Sequence, residues 1–247
     1  MDKVLYVGMT GARENMLAQQ AHANNLANAT TTGFKADLAQ ARSMQVFGEG
    51  HASRVYAMSE RPATDLTNGS LMETGRDLDL AVVGDGWMAV QAPDGTEGYT
   101  RGGELQINPQ GELVTGSGLR VIGNGGAPIV LPAIEGIAIA NDGTITVRPA
   151  GEAAAELAVV DAIKLVTLPE GQAFKGTNGL MRTDNQIPLE PDLNVEVRSG
   201  YLESSNVNGV HELTSMISLS RQFEMQIKLM KTAEENDSAA ANILQLS

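Results

Sequence analysis

The placement of chain breakers constrains this sequence more than any other feature. All nine Pro and 23 of the 27 Gly lie between residues 41 and 200; the exceptions are Gly8, Gly11, Gly33 and Gly209. Long helices exclude Pro and tolerate few Gly, whereas short strands and tight turns are punctuated by both. The chain therefore reads as helix, β-rich middle, helix. Charge divides the same way. Residues 1–40 hold three basic and three acidic groups and residues 201–247 three basic and six acidic, which leaves −10 of the net −13 in the middle.

The first helix is expected from Asp2, an N-cap type, to about Asn28. Ala29-Thr30-Thr31-Thr32-Gly33 then ends it with three β-branched residues and a glycine. Leu5, Met9, Ala12, Met16, Gln19, Ala23 and Leu26 recur at steps of four and three, a weak heptad seam. The second helix is expected from Asn208-Gly209 to about Leu244. Met216, Ser220, Phe223, Ile227, Met230, Glu234, Asp237, Ala241 and Leu244 keep the same spacing. At 1.5 Å per residue it would be roughly 50 Å long, reasonable for a coiled coil. The two seams predict helices packed side by side, with Leu5, Met9, Met16 and Leu26 facing Met216, Phe223, Ile227 and Met230. Asn24, Asn25 and Asn28 crowd the end of the first helix although Asn is a poor helix former. Amides there are suited to fixing the register of a helix against the C-terminal helix or a neighbouring subunit.

The middle reads as strands and turns. Residues 78–83 and 87–91 flank Gly84-Asp85-Gly86, and Pro93-Asp94-Gly95 follows. Asn141-Asp142-Gly143 between Ile137-Ala138-Ile139 and Thr144-Ile145-Thr146-Val147 is a hairpin signal. Residues 162–168 read as one further strand. The expected fold class is α+β: an all-β middle domain inserted between long N- and C-terminal helices that pack together as a coiled-coil-like domain. The expected segments are a helical 1–35, an extended connector 36–76, a β-rich 77–203 and a helical 204–247.

Several function classes fall away. The acidic balance leaves no excess of cations for nucleic acid or for anionic membrane surfaces. No apolar run approaches the roughly 18 residues that membrane insertion needs, and Met1-Asp2-Lys3-Val4-Leu5 lacks the pattern of a cleaved signal peptide. The absence of Cys excludes disulfides and thiol catalysis. His22, His51 and His211 share no metal-ligand spacing. Gly123-Asn124-Gly125-Gly126 lacks the Lys of a phosphate loop, and Gly116-Ser117-Gly118 lacks the spacing of a nucleophile elbow. Asp77 and Asp79 flank Leu78, so on a strand both would point to one face. That pair fits either acid/base or cation chemistry, or a solvent-facing edge with Leu78 and Leu80 turned inward. Asp85, Asp94 and Asp142 sit in turns, where Asp bonds locally, and are expected to titrate near ordinary carboxylate values. No catalytic residue, cofactor or metal is expected.

Three blocks carry a resemblance. Ala23-Asn24-Asn25-Leu26-Ala27-Asn28-Ala29-Thr30-Thr31-Thr32-Gly33-Phe34-Lys35 closely resembles the N-terminal signature of bacterial flagellar rod and hook proteins. Thr74-Gly75-Arg76-Asp77-Leu78-Asp79-Leu80-Ala81, Gly84-Asp85-Gly86-Trp87 and Gly98-Tyr99-Thr100-Arg101 resemble the start of that family's β-domain. Asn206-Val207, Arg221-Gln222-Phe223-Glu224-Met225 and Ala233-Glu234-Glu235-Asn236 are similar to its C-terminal helix. Length and the Asp85-Gly86-Trp87 and Glu97-Gly98-Tyr99-Thr100-Arg101 blocks look most like the F-type proximal rod proteins, with a G-type distal rod or hook-like protein as the alternative. The chain departs from the family pattern at Gly102-Gly103, where one polar residue usually precedes Gly.

The resemblance implies a structural subunit of the flagellar basal-body rod, not an enzyme. Such a subunit assembles through its terminal helices with other rod proteins and copies of itself, after export by the flagellar type III apparatus. The expected subunit-interface residues are Leu5, Met9, Met16, Asn24, Asn25, Leu26, Asn28, Met216, Phe223, Ile227, Met230 and Leu244. Two other classes stay open on the residues alone. One is a β-rich carbohydrate-active enzyme using Asp77, Asp79 or Asp85, which needs a concave pocket with carboxylates about 5–9.5 Å apart. The other is an adhesin with a coiled-coil stalk.

Overall fold

A computed structural model describes residues 2–38, 41–45, 55–59, 63–149, 158–169, 171–184 and 187–245. His51 lies outside them. The chain forms two compact units. A helical unit holds Met1–Ala29, Ala36–Asp65 and Val207–Ser247, and a β unit holds Thr30–Lys35 and Leu66–Asn206. The architecture is α+β, with helices at both ends of the sequence and strands between them.

The helical unit contains α1 (Asp2–Ala27), β1 (Asp37–Leu38), β2 (Ala41–Gln45), β3 (Val55–Ser59), β4 (Ala63–Thr64) and α2 (Gly209–Gln245). The connector segment thus carries two antiparallel pairs, β2 with β3 and β1 with β4. Helix α2 begins where the sequence places it because Asn208 caps it. The Asn208 Oδ1 accepts from the amides of Val210 and His211 at 3.1 and 3.2 Å.

The seam between α1 and α2 differs from the expected one. A β-carbon on Gly8 would stand 2.8 Å from Met230 Cγ, one on Gly11 2.7 Å from Gln226 Nε2, and one on Gly209 3.6 Å from Leu26 Cδ1. These pairs run in opposite directions along the two helices, so the helices are antiparallel. Ala12 is buried among them. Leu5, Met9 and Met16 do not form this seam; they stay 39%, 56% and 59% exposed, and Ile227 stays 43% exposed. Met216, Phe223, Met230 and Leu26 are half-buried. The reason is steric. A long side chain from α2 drops into the space that glycine leaves open, and the seam settles on the small residues rather than on the large ones. The side chain of Leu244 lies outside those described.

The β unit contains β5 (Leu71–Glu73), β6 (Leu80–Val83), β7 (Gly86–Gln91), β8 (Glu97–Thr100), β9 (Leu105–Ile107), β10 (Leu113–Thr115), β11 (Arg120–Val121), β12 (Ile134–Ile139), β13 (Thr144–Pro149), β14 (Ala158–Ala162), β15 (Leu165–Thr167), β16 (Ala173–Lys175), β17 (Met181–Thr183), β18 (Glu196–Ser199) and β19 (Tyr201–Glu203). An antiparallel sheet of order β16-β17-β8-β7-β11-β10-β9, with β15 also on β7, forms its centre. Strand β7 decides where the core lies. Its alternating side chains send Met88 and Val90 into a cluster with Leu105, Leu113, Val121, Ile129 and Ile145, and Trp87 and Ala89 into a second with Tyr99, Ile122 and Val166. Both faces of this strand are therefore buried.

The Asn141-Asp142-Gly143 hairpin forms as read: β12 pairs with β13, with Ile139 opposite Ile145. The strand read over 162–168 is cut in two. Strand β14 pairs with β13, whereas β15 pairs with β7, and the chain changes sheets at Ile163, which bridges to Gly123.

Candidate assembly interface

Several polar groups of the helix pair are placed specifically. The Asn25 side chain, 2% exposed, donates to the Asp37 carbonyl and accepts from the Asp37 amide at 2.9 and 2.8 Å. It thereby treats its amide as a strand partner for β1. Asn24 donates to the Asp37 carboxylate at 2.9 Å, and Asn28 donates to the Asn24 carbonyl at 2.9 Å. The sequence predicts that at least one of these amides bonds the C-terminal helix or a neighbouring subunit; within the chain, Asn24 and Asn25 join α1 to the strand that follows it. Across the helices, His22 Nδ1 contacts Glu212 Oε2, and Glu212 is buried in the first turn of α2.

Large apolar side chains are exposed on the outer surface of the pair. Leu5, Tyr6, Met9, Met16 and Leu17 of α1 are all more than a third exposed. So are Val210, Leu213, Ile217, Met225, Ile227 and Leu229 of α2, with Val210 at 73% and Leu229 at 65%. Val210, Leu213 and Ile217 fall at i, i+3 and i+7, one stripe along a helix. Met225 and Leu229 lie on another side of α2, because at 3.6 residues per turn they point well away from that stripe. Contiguous apolar patches on a protein surface are candidate association sites. Among the described residues no helix is long and apolar enough to cross a membrane.

The β unit places the remaining signature residues. Gly33 turns with φ +67°, and a β-carbon there would lie 2.2 Å from the Arg101 backbone. Lys35, Arg101 and Glu203 then meet in the interior, each with a side chain at most 2% exposed. Lys35 Nζ lies 2.9 Å from Glu203 Oε1, and Arg101 Nε donates to Glu203 Oε2 at 2.6 Å. Sequence reading gave these three residues no role. The available signal was a lone cation closing each of two family blocks, Phe34-Lys35 and Thr100-Arg101.

The carboxylates behave differently from the sequence expectation. Residues 77–79 form a turn and a single bridge, so the alternation assumed for Asp77 and Asp79 fails. Asp77 is exposed, while Asp79 is buried, with its Oδ1 3.3 Å from Arg76 Nη1. Asp85 is exposed in its turn. Asp94 is held down from 3.8 to about 2, first by the Thr96 hydroxyl and then by Arg182 and the Thr96 amide. The Thr144 amide and hydroxyl lower Asp142 as well. Asp94 and Asp142 are solvated but not unperturbed, because their own turns donate to them. Among the described residues no three metal-ligating side chains gather.

Comparison with known proteins follows the same three blocks. Residues 5–35 match the family described as flagella basal body rod protein, residues 81–147 the flagellar hook protein FlgE/F/G D1 domain, and residues 198–243 the flagellar basal body rod FlgEFG protein C-terminal region. The flagellar basal-body rod protein FlgF of Salmonella typhimurium is 40% identical over the whole of both chains, and that of Escherichia coli 39%. The rod protein FlgG of Agrobacterium fabrum is 30% identical over 98% of this chain and all of its own. The chain therefore belongs to the flagellar basal-body rod protein family, on its F-type branch, as a structural subunit of the basal body.

Proposed function

We propose that this subunit enters the proximal rod through its terminal helices, packing against copies of itself and other rod proteins. One observation carries the reading: among the described residues, eleven large apolar side chains of α1 and α2 stay exposed in the single chain. Leu5, Met9, Met16 and Ile227, left out of the seam inside the chain, are the contacts offered to a neighbour. Asn24, Asn25, Leu26, Asn28, Met216, Phe223 and Met230 shape the pair that offers them, and Leu244 belongs to the same proposal by its place in the sequence alone. In this reading residues 1–35 and 204–247 supply the associating surfaces, residues 36–76 connect them, and the acidic residues 77–203 oppose lateral association of β-domains. Export by the flagellar type III apparatus belongs to the same proposal and rests on family membership.

A photocrosslinking residue at Met9 or Ile217 tests the interface in assembled basal bodies. Both positions should crosslink to a second copy or to another rod protein, and a crosslinker at exposed Asp85 should not. Absence of crosslinks at both helix positions in fully assembled rods would refute the reading.

A further inference from the structure

The β unit contains a buried ion cluster that its size and core do not require. Glu203 lies at the end of β19 and contacts three passages that are distant in sequence. Its Oε1 meets Lys35 Nζ and accepts from the Gly69 amide at 2.8 Å. Its Oε2 accepts from Arg101 Nε, and its backbone carbonyl accepts from the Gly33 amide at 2.8 Å. The two cations have further acceptors. Arg101 Nη2 donates to the carbonyls of Val82 and Gly84 at 2.8 Å each, and Arg101 also stands over the Trp87 ring. Lys35 Nζ donates to the Thr67 carbonyl at 2.7 Å and to Asn68 Oδ1 at 3.2 Å. Three residues later, the Asn206 amide donates to the Phe34 carbonyl at 3.3 Å.

One carboxylate thus faces two cations in a place closed to water. An arrangement of this kind is a poor way to gain stability. Withdrawing three charges from water is expensive, and apolar side chains of similar volume usually do as well or better. What the cluster does supply is uniqueness. Lys35 donates to residues 67, 68 and 203, and a slip of either chain end disrupts those bonds.

We propose that Glu203 is a positioning residue. It locks the passage entering the β unit, residues 30–35, to the passage leaving it, residues 203–206, in one register, and the cluster is kept for that placement rather than for stability.

The test uses the full chain, free in solution, and does not depend on rod assembly. Glu203→Gln should lower the denaturant midpoint sharply, because both cations stay buried. The triple variant Lys35→Met, Arg101→Met, Glu203→Leu should recover that midpoint to wild type or above. Even so, its Gly33 and Asn206 amides should exchange at least about tenfold faster than in wild type. Lys35→Met alone, which leaves a neutral Arg101–Glu203 pair, should keep a near-wild-type midpoint and show the same fast exchange at Gly33. Two results would overturn the proposal: a triple variant that unfolds earlier than Glu203→Gln or does not fold, or variants that keep wild-type protection at Gly33 and Asn206.

Discussion

In the β unit, Met88, Val90, Leu105, Leu113, Val121, Ile129 and Ile145 are each at most 1% exposed. Along the terminal helices, Met9, Met16, Ile217, Met225 and Leu229 each show more than half of their surface to solvent. Both regions are built from ordinary apolar residues, so composition does not separate them. The difference is in geometry. A sheet that covers both faces of β7 can bury its apolar residues within one chain. Two helices bury mainly the stripe along which they touch, and here its α1 side is built on Gly8, Gly11 and Ala12, with Met230 filling the space at Gly8 and Leu26 that at Gly209. The large side chains are left for other surfaces. The β unit closes a core within the chain, although Val159, Ile187 and Leu193 stay exposed on it, whereas the helical unit keeps most of its large side chains on its surface.

The sharpest way to break this contrast is at a backbone contact inside the β unit. A β-carbon on Gly103 would lie 1.6 Å from the Leu80 carbonyl oxygen, with no flexible side chain to give way. Gly103→Ala should cost more than about 4 kcal/mol in denaturant unfolding. A cost below about 1 kcal/mol would mean that the two passages do not approach as described.

Paired truncations come next. Leu105→Ala, at a fully buried site, should cost about 2–5 kcal/mol. Leu229→Ala, at a site 65% exposed, should change the free chain by no more than about 0.5 kcal/mol. It should nonetheless reduce incorporation into basal bodies, as judged by quantitative immunoblotting of purified rods. Equal costs at the two sites in the free chain would erase the distinction between the units.

Smaller effects refine it. At Gly102, where the chain departs from the family pattern, a β-carbon would meet only ordinary contacts at 3.4 and 3.5 Å. Gly102→Ala should therefore be neutral or stabilising by about 0.4–1 kcal/mol, which a shift in denaturant midpoint would report. The smallest effect is at Asp94. Its folded carboxyl titrates at about 2 against 3.8 for the free group, so it stabilises the fold above about pH 4 and this contribution fades as pH falls towards 2. Asp94→Asn should be slightly less stable than wild type at pH 5, and the difference should shrink as pH falls through about 2.

The sequence made some of this legible and hid the rest. Helix ends were readable because they depend on local chemistry: Asn208 caps α2, and Thr30-Thr31-Thr32-Gly33 follows α1. The Asn141-Asp142-Gly143 hairpin was readable for the same reason. The helix seam was not, because heptad reading weights large apolar residues and does not count a glycine as a contact. Gly8 and Gly11 carry the seam by the absence of a side chain, which no hydrophobic pattern registers. The break at Ile163 was hidden because 162–168 is uniformly strand-like, and only its partners, β13 on one side and β7 on the other, divide it. Lys35, Arg101 and Glu203 stand up to 168 residues apart, and their meeting depends wholly on the tertiary fold.

Amide hydrogen exchange, compared between the free chain and assembled rods, tests most directly whether the helical unit is completed by its neighbours. The account predicts slow exchange along β7, at Val90 for example, in both states. Along α1 and α2 it predicts fast exchange in the free chain and strong protection in the rod. Helices already as protected in the free chain as β7, with no gain on assembly, would contradict it.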